Sequence, residues 1–413
     1  MNTCLLKYQL NSIGSNYLNH LSVQHEFEKM VESESPRKYQ YSKSKIGGTS
    51  CLQIDPNTGK FLLACGNDGS LGIWSLDDRC QDDELYCKRI KFSARTGSND
   101  EPIAIPTNKN AQMVHSFETR KNRFRLYRQS SSPLAPAQSQ SRPGHRYGIR
   151  SCQWFKLDNG MFFTGSNDLS VQLWDTNSLE AVHSVDVGHR VNQIDTTDHC
   201  IVVATEDGYP RLIDLRNPTG ITHLGSGTMP HEMLTVHCNP QKTHIVATGD
   251  SNGSIKLWDL RKRNQLLMEV YHDTPRKRAH LSYCQDLAWN SNGSQLASVG
   301  ADGRIYIWSP FNQSHRASQV GPHDLPRTRH LRRTSQRLLW SENYILCNTD
   351  YGEIQLLDPV HKKLWTKIED PEPTSSTSST TQFSGMALQD KLSNGMGLRL
   401  YLSTGNSIYE HTS

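Results

Sequence analysis

Apolar and polar positions alternate with a period of two over short runs, and each run follows a turn built on Asp, Asn or Gly. Four copies end on a tryptophan: ACGNDGSLGIWSL (64 to 76), TGSNDLSVQLWDT (164 to 176), TGDSNGSIKLWDL (248 to 260) and SVGADGRIYIWSP (298 to 310). Two weaker copies, ATEDGYPRLIDLR (204 to 216) and NTDYGEIQLLDPV (348 to 360), place Ile213 and Leu357 at the anchor. Period two belongs to a strand with one buried face, and the tight turn before it makes each copy a β-hairpin. A further strand precedes each hairpin, and it too can carry an indole: CQWF at Trp154, DLAW at Trp289 and LLW at Trp340.

The anchors fall at 74, 174, 213, 258, 308 and 357, so the steps after the first are 39, 45, 50 and 49 residues. Four strands per unit at this spacing predict propeller blades, none of which can bury its apolar faces without neighbours. A last, degenerate unit survives in GLRLYLSTGNSIYEHTS (397 to 413). The expected fold is an all-β, seven-bladed β-propeller, with six or eight blades as alternatives. Residues 1–37 read as a partly helical N-terminal extension and 38–413 as the propeller. A strand within Lys38 to Ile46 is expected to pair with the last blade and close the ring, which otherwise exposes an edge.

His145, His189, His231 and His280 precede the anchors Trp174, Ile213, Trp258 and Trp308 by 24 to 29 residues. In WD repeats, which these units resemble, such a His joins a Ser or Thr, the turn Asp and the anchor Trp in a buried hydrogen-bonded chain. Blade two would supply His145, Ser166, Asp168 and Trp174. Blade five would supply His280, Ser298 or a neighbour, Asp302 and Trp308, and Asp207 is the turn residue of blade three. Recurrence at blade spacing assigns these residues to structure rather than to one active site.

Between blades one and two lies an insert, 78–144, containing RKNRFRLYR (120 to 128) and the Pro-rich QSSSPLAPAQSQSRPG (129 to 144), which has too little apolar surface to fold alone. Further polar stretches are DTPRKR (273 to 278), the Arg-rich 327 to 337, and a low-complexity insert at 369–382. They account for a hydrophobic fraction of only 35%. The basic runs read as nucleic-acid contacts, nuclear-import addresses or solvated loops. A net charge of +4 speaks against a dedicated duplex-DNA binder. Residues 15–34 carry Tyr17, Leu18, Leu21, Phe27, Met30 and Val31 as an imperfect helical stripe that either docks on a partner or packs on the propeller.

The chain shows no phosphate-binding glycine loop, no paired zinc histidines and no spaced Cys/His set, so no cofactor or metal is expected. GDSNG (249 to 253) matches a nucleophile-elbow pattern, but it lies in a hairpin turn in register with the other copies and leads into no helix. Ten cysteines without a C-x-x-C pair read as reduced, buried thiols of an intracellular protein. No segment has the apolar length of a secretory signal or a membrane span. A non-catalytic binding platform remains.

The stretch HRYGIRSCQWFKLDNGMFFTGSNDLSVQLWDTNSLEA (145 to 181) resembles the second blade of the Cockayne syndrome group A family, above all in His145-Arg146-Tyr147, Gln153-Trp154, Gly160-Met161-Phe162 and Trp174-Asp175-Thr176-Asn177. Residues 46 to 70, 245 to 261 and 287 to 308 resemble it too, and the long inserts resemble those of fungal members. The resemblance implies a nuclear substrate receptor of a cullin-4 ubiquitin ligase in transcription-coupled nucleotide-excision repair. It is tethered by the large damaged-DNA-binding adaptor subunit. Its expected partners are stalled RNA polymerase II and the Cockayne group B repair ATPase. Family docking uses a W-D-x-R element, matched here by Trp258-Asp259-Leu260-Arg261 and, without the tryptophan, by Ile213-Asp214-Leu215-Arg216. It also uses an N-terminal helix, which is weak here, and blades three, six and seven are degenerate. A nuclear WD scaffold in chromatin or ribosome assembly, without a ligase link, is the alternative.

Overall fold

In the computed structural model the described residues are 25–30, 36–40, 48–76, 113–117 and most of 144–412. Outside them lie 1–24, most of the insert 78–144, and the stretches 313–317, 321–337, 370–382 and 390–397, along with short loops. Nearly all of the polar inserts, Tyr17, Leu18, Leu21 and Val31 therefore fall outside the described residues.

The described strands form seven four-stranded antiparallel sheets. Blade one comprises Thr49–Ile54, Phe61–Gly66, Leu71–Ser75 and Met113–Phe117. Its fourth strand thus comes from within the stretch 78–144. Blades two to six run from Ile149–Trp154 to Ala181–Asp186, Val191–Thr196 to Ile221–His223, Met233–Cys238 to Leu266–Val270, Cys284–Trp289 to Ser318–Val320, and Leu338–Trp340 to Lys363–Glu369. Blade seven takes Phe383–Gln389, Arg399–Thr404 and Ser407–Thr412, and its outer strand is Arg37–Gln40, paired antiparallel with Ser407–Thr412 from Arg37 opposite Glu410 to Gln40 opposite Ser407. This is the ring closure, at the leading edge of the expected range.

First strands of successive blades touch in order around the ring, and that of blade seven meets that of blade one. The described core consists of seven apolar clusters, one between each pair of neighbouring blades. Each blade thus buries one face on either neighbour, as the sequence period requires.

The topology sorts every loop to one of two rims. Turns between second and third strands, and the entries into first strands, lie at one rim, called here the turn rim. Connections from first to second and from third to fourth strands lie at the opposite rim. Six turns at the turn rim contain a glycine with positive φ: Gly69, Gly208, Gly253, Gly303, Gly352 and Gly405. In blade two that position is Leu169, with φ of 70°.

Candidate functional site

At the turn rim of blade two, Trp174 Nε1 donates to Thr164 Oγ1 at 2.7 Å, and Thr164 Oγ1 lies 2.6 Å from His145 Nε2. The other ring nitrogen, His145 Nδ1, is 2.9 Å from Asp168 Oδ2. The Asp168 carboxylate can only accept, so Nδ1 carries the proton, and in the neutral imidazole Nε2 then accepts from the Thr164 hydroxyl, which accepts in turn from the indole. The hydroxyl is Thr164 and not Ser166. Ser166 lies two residues nearer the turn, about 6.6 Å along the strand, and its Oγ donates instead to the carbonyls of Tyr147 and Gly148 at 3.0 Å. Blade five repeats the set: Trp308 Nε1 to Ser298 Oγ at 2.8 Å, Ser298 Oγ to His280 Nε2 at 2.8 Å, and His280 Nδ1 to Asp302 at 3.2 Å.

A hydroxyl, an imidazole and a carboxylate in this order have the connectivity of a nucleophile triad. Here the hydroxyl is enclosed, with Thr164, Ser298, His145 and His280 at most 1% exposed, and it is already engaged by an indole N–H, so no substrate can reach it. The sets are blade locks. Burial alone would raise the Asp168 carboxyl, but the hydrogen bonds from His145 and Ser170 and the Arg146 backbone N–H more than reverse this and hold it at about 2.

Blades three and four depart from the expected chain. In blade three the anchor Ile213 has no side-chain N–H, Val203 stands where blade two has Thr164, and Arg211, 4% exposed, ties the turn instead. Its guanidinium grips Asp207 with two bonds of 2.6 Å and also donates to Thr205. His189 is half-exposed and meets Asp207 only at 3.5 Å, so it does not lock the blade. In blade four Trp258 Nε1 donates to Thr248 Oγ1 at 2.9 Å, but His231 is exposed at the surface rather than buried in the network. The turn there is tied by Asp250, whose Oδ1 accepts the N–H groups of Asn252 and Ser254 at 2.9 Å. Sequence reasoning missed Arg211; the signal was an arginine four residues after the turn aspartate.

At the opposite rim, the third strands of blades three and four end in two equivalent forks. Arg261 Nε and Nη2 donate to Asp259 Oδ1 and Oδ2 at 3.0 and 2.7 Å, and Arg216 grips Asp214 in the same way at 3.0 and 2.8 Å. Each Asp also accepts the backbone N–H of its Arg at 3.0 Å. The Arg261 hydrogen bond outweighs burial and holds Asp259 at about 2. The guanidinium groups stand out from the rim, 66% and 77% exposed. Trp258 is only 1% exposed and faces the core.

The helical turn at 25–30 is seated at this same rim, across the ring, between blades six and seven. Phe27 and Met30 are fully buried there with Tyr344, Leu398 and Met386. The Phe27 ring meets Tyr344 and Trp365 edge-on, with centroids 5.3 and 6.0 Å away. These two stripe residues pack on the propeller.

Inside the ring, side chains of the first strands tie blades together: Gln53 Oε1 accepts Trp154 N at 2.7 Å, Gln193 Oε1 accepts Val236 N at 2.8 Å, and Asp286 Oδ2 accepts Leu338 N at 3.0 Å. Cys51, Cys65 and Cys152 are the one described group of three side chains close enough to share a metal ion, with Cys51 Sγ 3.3 Å from Cys152 Sγ. Three sulfurs are one short of a structural zinc tetrahedron. They sit in the apolar cluster of Leu63, Ile149 and Trp154, where burial pushes the Cys65 thiol well up while hydrogen bonds with Cys152, Cys65 and Ser50 outweigh burial and hold the Cys51 thiol down. Among the described residues no helix is long and apolar enough to cross a membrane.

The model of the WD domain, G-beta repeat, matches residues 137–175, 227–259 and 274–309. Their described residues fall in blades two, four and five, in each of which an anchor indole donates to a strand hydroxyl. Over 97% of its length the chain is 37% identical to Radiation-sensitive protein 28 of Saccharomyces cerevisiae, of which the alignment covers 97%. The chain belongs to the Cockayne syndrome group A family. It is also 32% identical to WD repeat-containing protein ATCSA-1 of Arabidopsis thaliana, over 52% of this chain and 40% of that protein. WD repeat-containing protein VIP3 of the same plant is 27% identical over 40% of this chain and 53% of its own. This member of the Cockayne group A family is a non-catalytic propeller that works by binding.

Proposed function

We propose that the protein acts in the nucleus in DNA repair, as the substrate receptor of a cullin-4 type ubiquitin ligase serving transcription-coupled nucleotide-excision repair. Membership of the Cockayne group A family and a relative named for radiation sensitivity support the repair role. The observation that carries the ligase link is the pair of exposed arginine forks on adjacent blades. Each guanidinium is held flat by its own aspartate, so little side-chain entropy is lost when a partner carboxylate or carbonyl meets its outer edge. Two such forks on one rim fit an adaptor that straddles blades three and four, and Arg216 and Arg261 are then its contacts. The substrate side would engage stalled RNA polymerase II and the Cockayne group B repair ATPase.

Affinity purification from ultraviolet-treated cells tests the assignment. The expected result is co-purification of the large damaged-DNA-binding adaptor subunit and the cullin, with Arg261→Ala weakening adaptor binding by about 1 to 3 kcal/mol and leaving the fold intact. Equal recovery with Arg216→Ala/Arg261→Ala removes the forks from the interface. Absence of adaptor, cullin and polymerase alike leaves the ligase-free scaffold as the reading.

A further inference from the structure

First strands of all seven blades line a central channel of about 330 Å³. Two thiols form part of its wall, Cys51 in the first strand of blade one and Cys152 in the first strand of blade two. Their Sγ atoms lie 3.3 Å apart. Cys65, opposite Cys51 on the neighbouring strand, brings a third sulfur to within 4.8 Å of both, but it stands behind them, outside the channel wall. Cys51 and Cys152 are only 1% and 3% exposed, so a reagent reaches them only if it is small enough to come down the channel.

The two thiols are unequal. Burial alone would raise the Cys51 thiol, but hydrogen bonds with Cys152, Cys65 and Ser50 and the charge of Arg150 more than reverse this and hold it well below its usual value. Cys152 is pushed well up, first by its hydrogen bond with Cys51, and so keeps its proton. One sulfur is thus disposed to attack, and its neighbour holds a proton in reserve. Cys238 lines the same channel, but burial and the Asp195 charge push its thiol well up, which makes it the internal control. The strands that carry Cys51 and Cys152 are in direct contact, and side-chain rotation can close 3.3 Å to a disulfide bond of about 2 Å.

The geometry points to a site of oxidative modification, at which hydrogen peroxide entering the channel joins Cys51 to Cys152 in a disulfide that staples blade one to blade two. The Cys51 sulfur attacks one peroxide oxygen and the O–O bond breaks. The other oxygen leaves as hydroxide and takes the proton given up by Cys51, forming water. The Cys152 sulfur then displaces hydroxide from the Cys51 sulfenic acid, and the Cys152 proton turns that hydroxide into a second water. Two thiols lose two electrons and the peroxide gains them. The bridge joins residues 101 apart in the chain, so it restricts the unfolded state and stabilises the ring. It forms whether or not the opposite rim meets an adaptor.

Treatment of the reduced full-length chain with hydrogen peroxide, then blocking of free thiols, trypsin and mass spectrometry of unreduced peptides, tests this. Cleavage after Lys60, Arg150 and Lys156 puts Cys51, Cys65 and Cys152 on separate peptides. The expected result is a Cys51–Cys152 linked pair that dithiothreitol separates, together with a higher melting temperature. Cys51 is expected to react faster than Cys238 by on the order of tenfold or more. Glutathione disulfide, too bulky for the channel, should give little bridge. In Cys152→Ala the Cys51 sulfenic acid should accumulate and be trapped by dimedone, and in Cys51→Ala the Cys152 thiol should stay reduced. Circular dichroism checks the fold of each variant, and the bridge mapped in the wild type stands without them. The proposal is overturned by no bridge in the folded protein, by a bridge formed only in urea, by Cys51 pairing with Cys65 instead, or by Cys238 reacting as fast as Cys51. Bridging by glutathione disulfide at the rate of peroxide overturns entry by the channel.

Discussion

Between Trp174 and His145 sits one hydroxyl, and the proton directions in the blade-two lock are set from its two ends, an indole that can only donate and a carboxylate that can only accept. The same chain ends on Asp168, whose carboxyl is held at about 2 in the folded state against about 3.9 in an unfolded chain. A depressed folded value contributes stability that is complete above the unfolded value and is lost as pH falls toward the folded one. For a carboxylate this enclosed the contribution is about 2 to 3 kcal/mol, disappearing between roughly pH 5 and pH 2. Urea unfolding across that window is expected to show Asp168→Asn less stable than wild type at pH 7 and with a shallower acid dependence. Parallel pH profiles for the two proteins would remove Asp168 from the acid response. Residue scale is also where the sequence was least complete. Thr164 and Ser166 share a strand face, so spacing could not separate them, and in blade three Ile213 has no side-chain N–H and Val203 no hydroxyl at the positions of Trp174 and Thr164, which leaves Arg211 to tie the turn.

At the scale of elements, hairpins of second and third strands were legible because burial on one face enforces period two and the turn demands positive φ. Fourth strands were not, since an outermost strand such as Ala181–Asp186 leaves most of its side chains partly or fully exposed and carries little pattern. Met113–Phe117 was hidden further by its distance from Leu71–Ser75 in a polar stretch. The N-terminal stripe was visible as a pattern but not as a destination, and only the structure seats Phe27 and Met30 between blades six and seven. Phe27→Ala empties the site between Tyr344 and Trp365, a loss on the order of 3 kcal/mol for the docked helix. The expected readout is faster tryptic cleavage at Lys29 with the propeller strands still protected. Cleavage no faster than in wild type means the helix is held by something other than Phe27.

The whole molecule is a ring in which each blade is held by its two neighbours. Its closure is the pairing of Arg37–Gln40 with Ser407–Thr412, which joins a strand from near the start of the sequence to blade seven. Without that strand the outer edge of Ser407–Thr412 is left unpaired, a template for pairing with another chain. Deletion of residues 37–40 is therefore expected to lower the urea midpoint and to give concentration-dependent association in sedimentation, with the arginine forks of blades three and four still able to meet a partner because they stand across the ring. An unchanged midpoint and a monomeric protein would mean that the ring is held shut by the contacts between the first strands of blades seven and one alone.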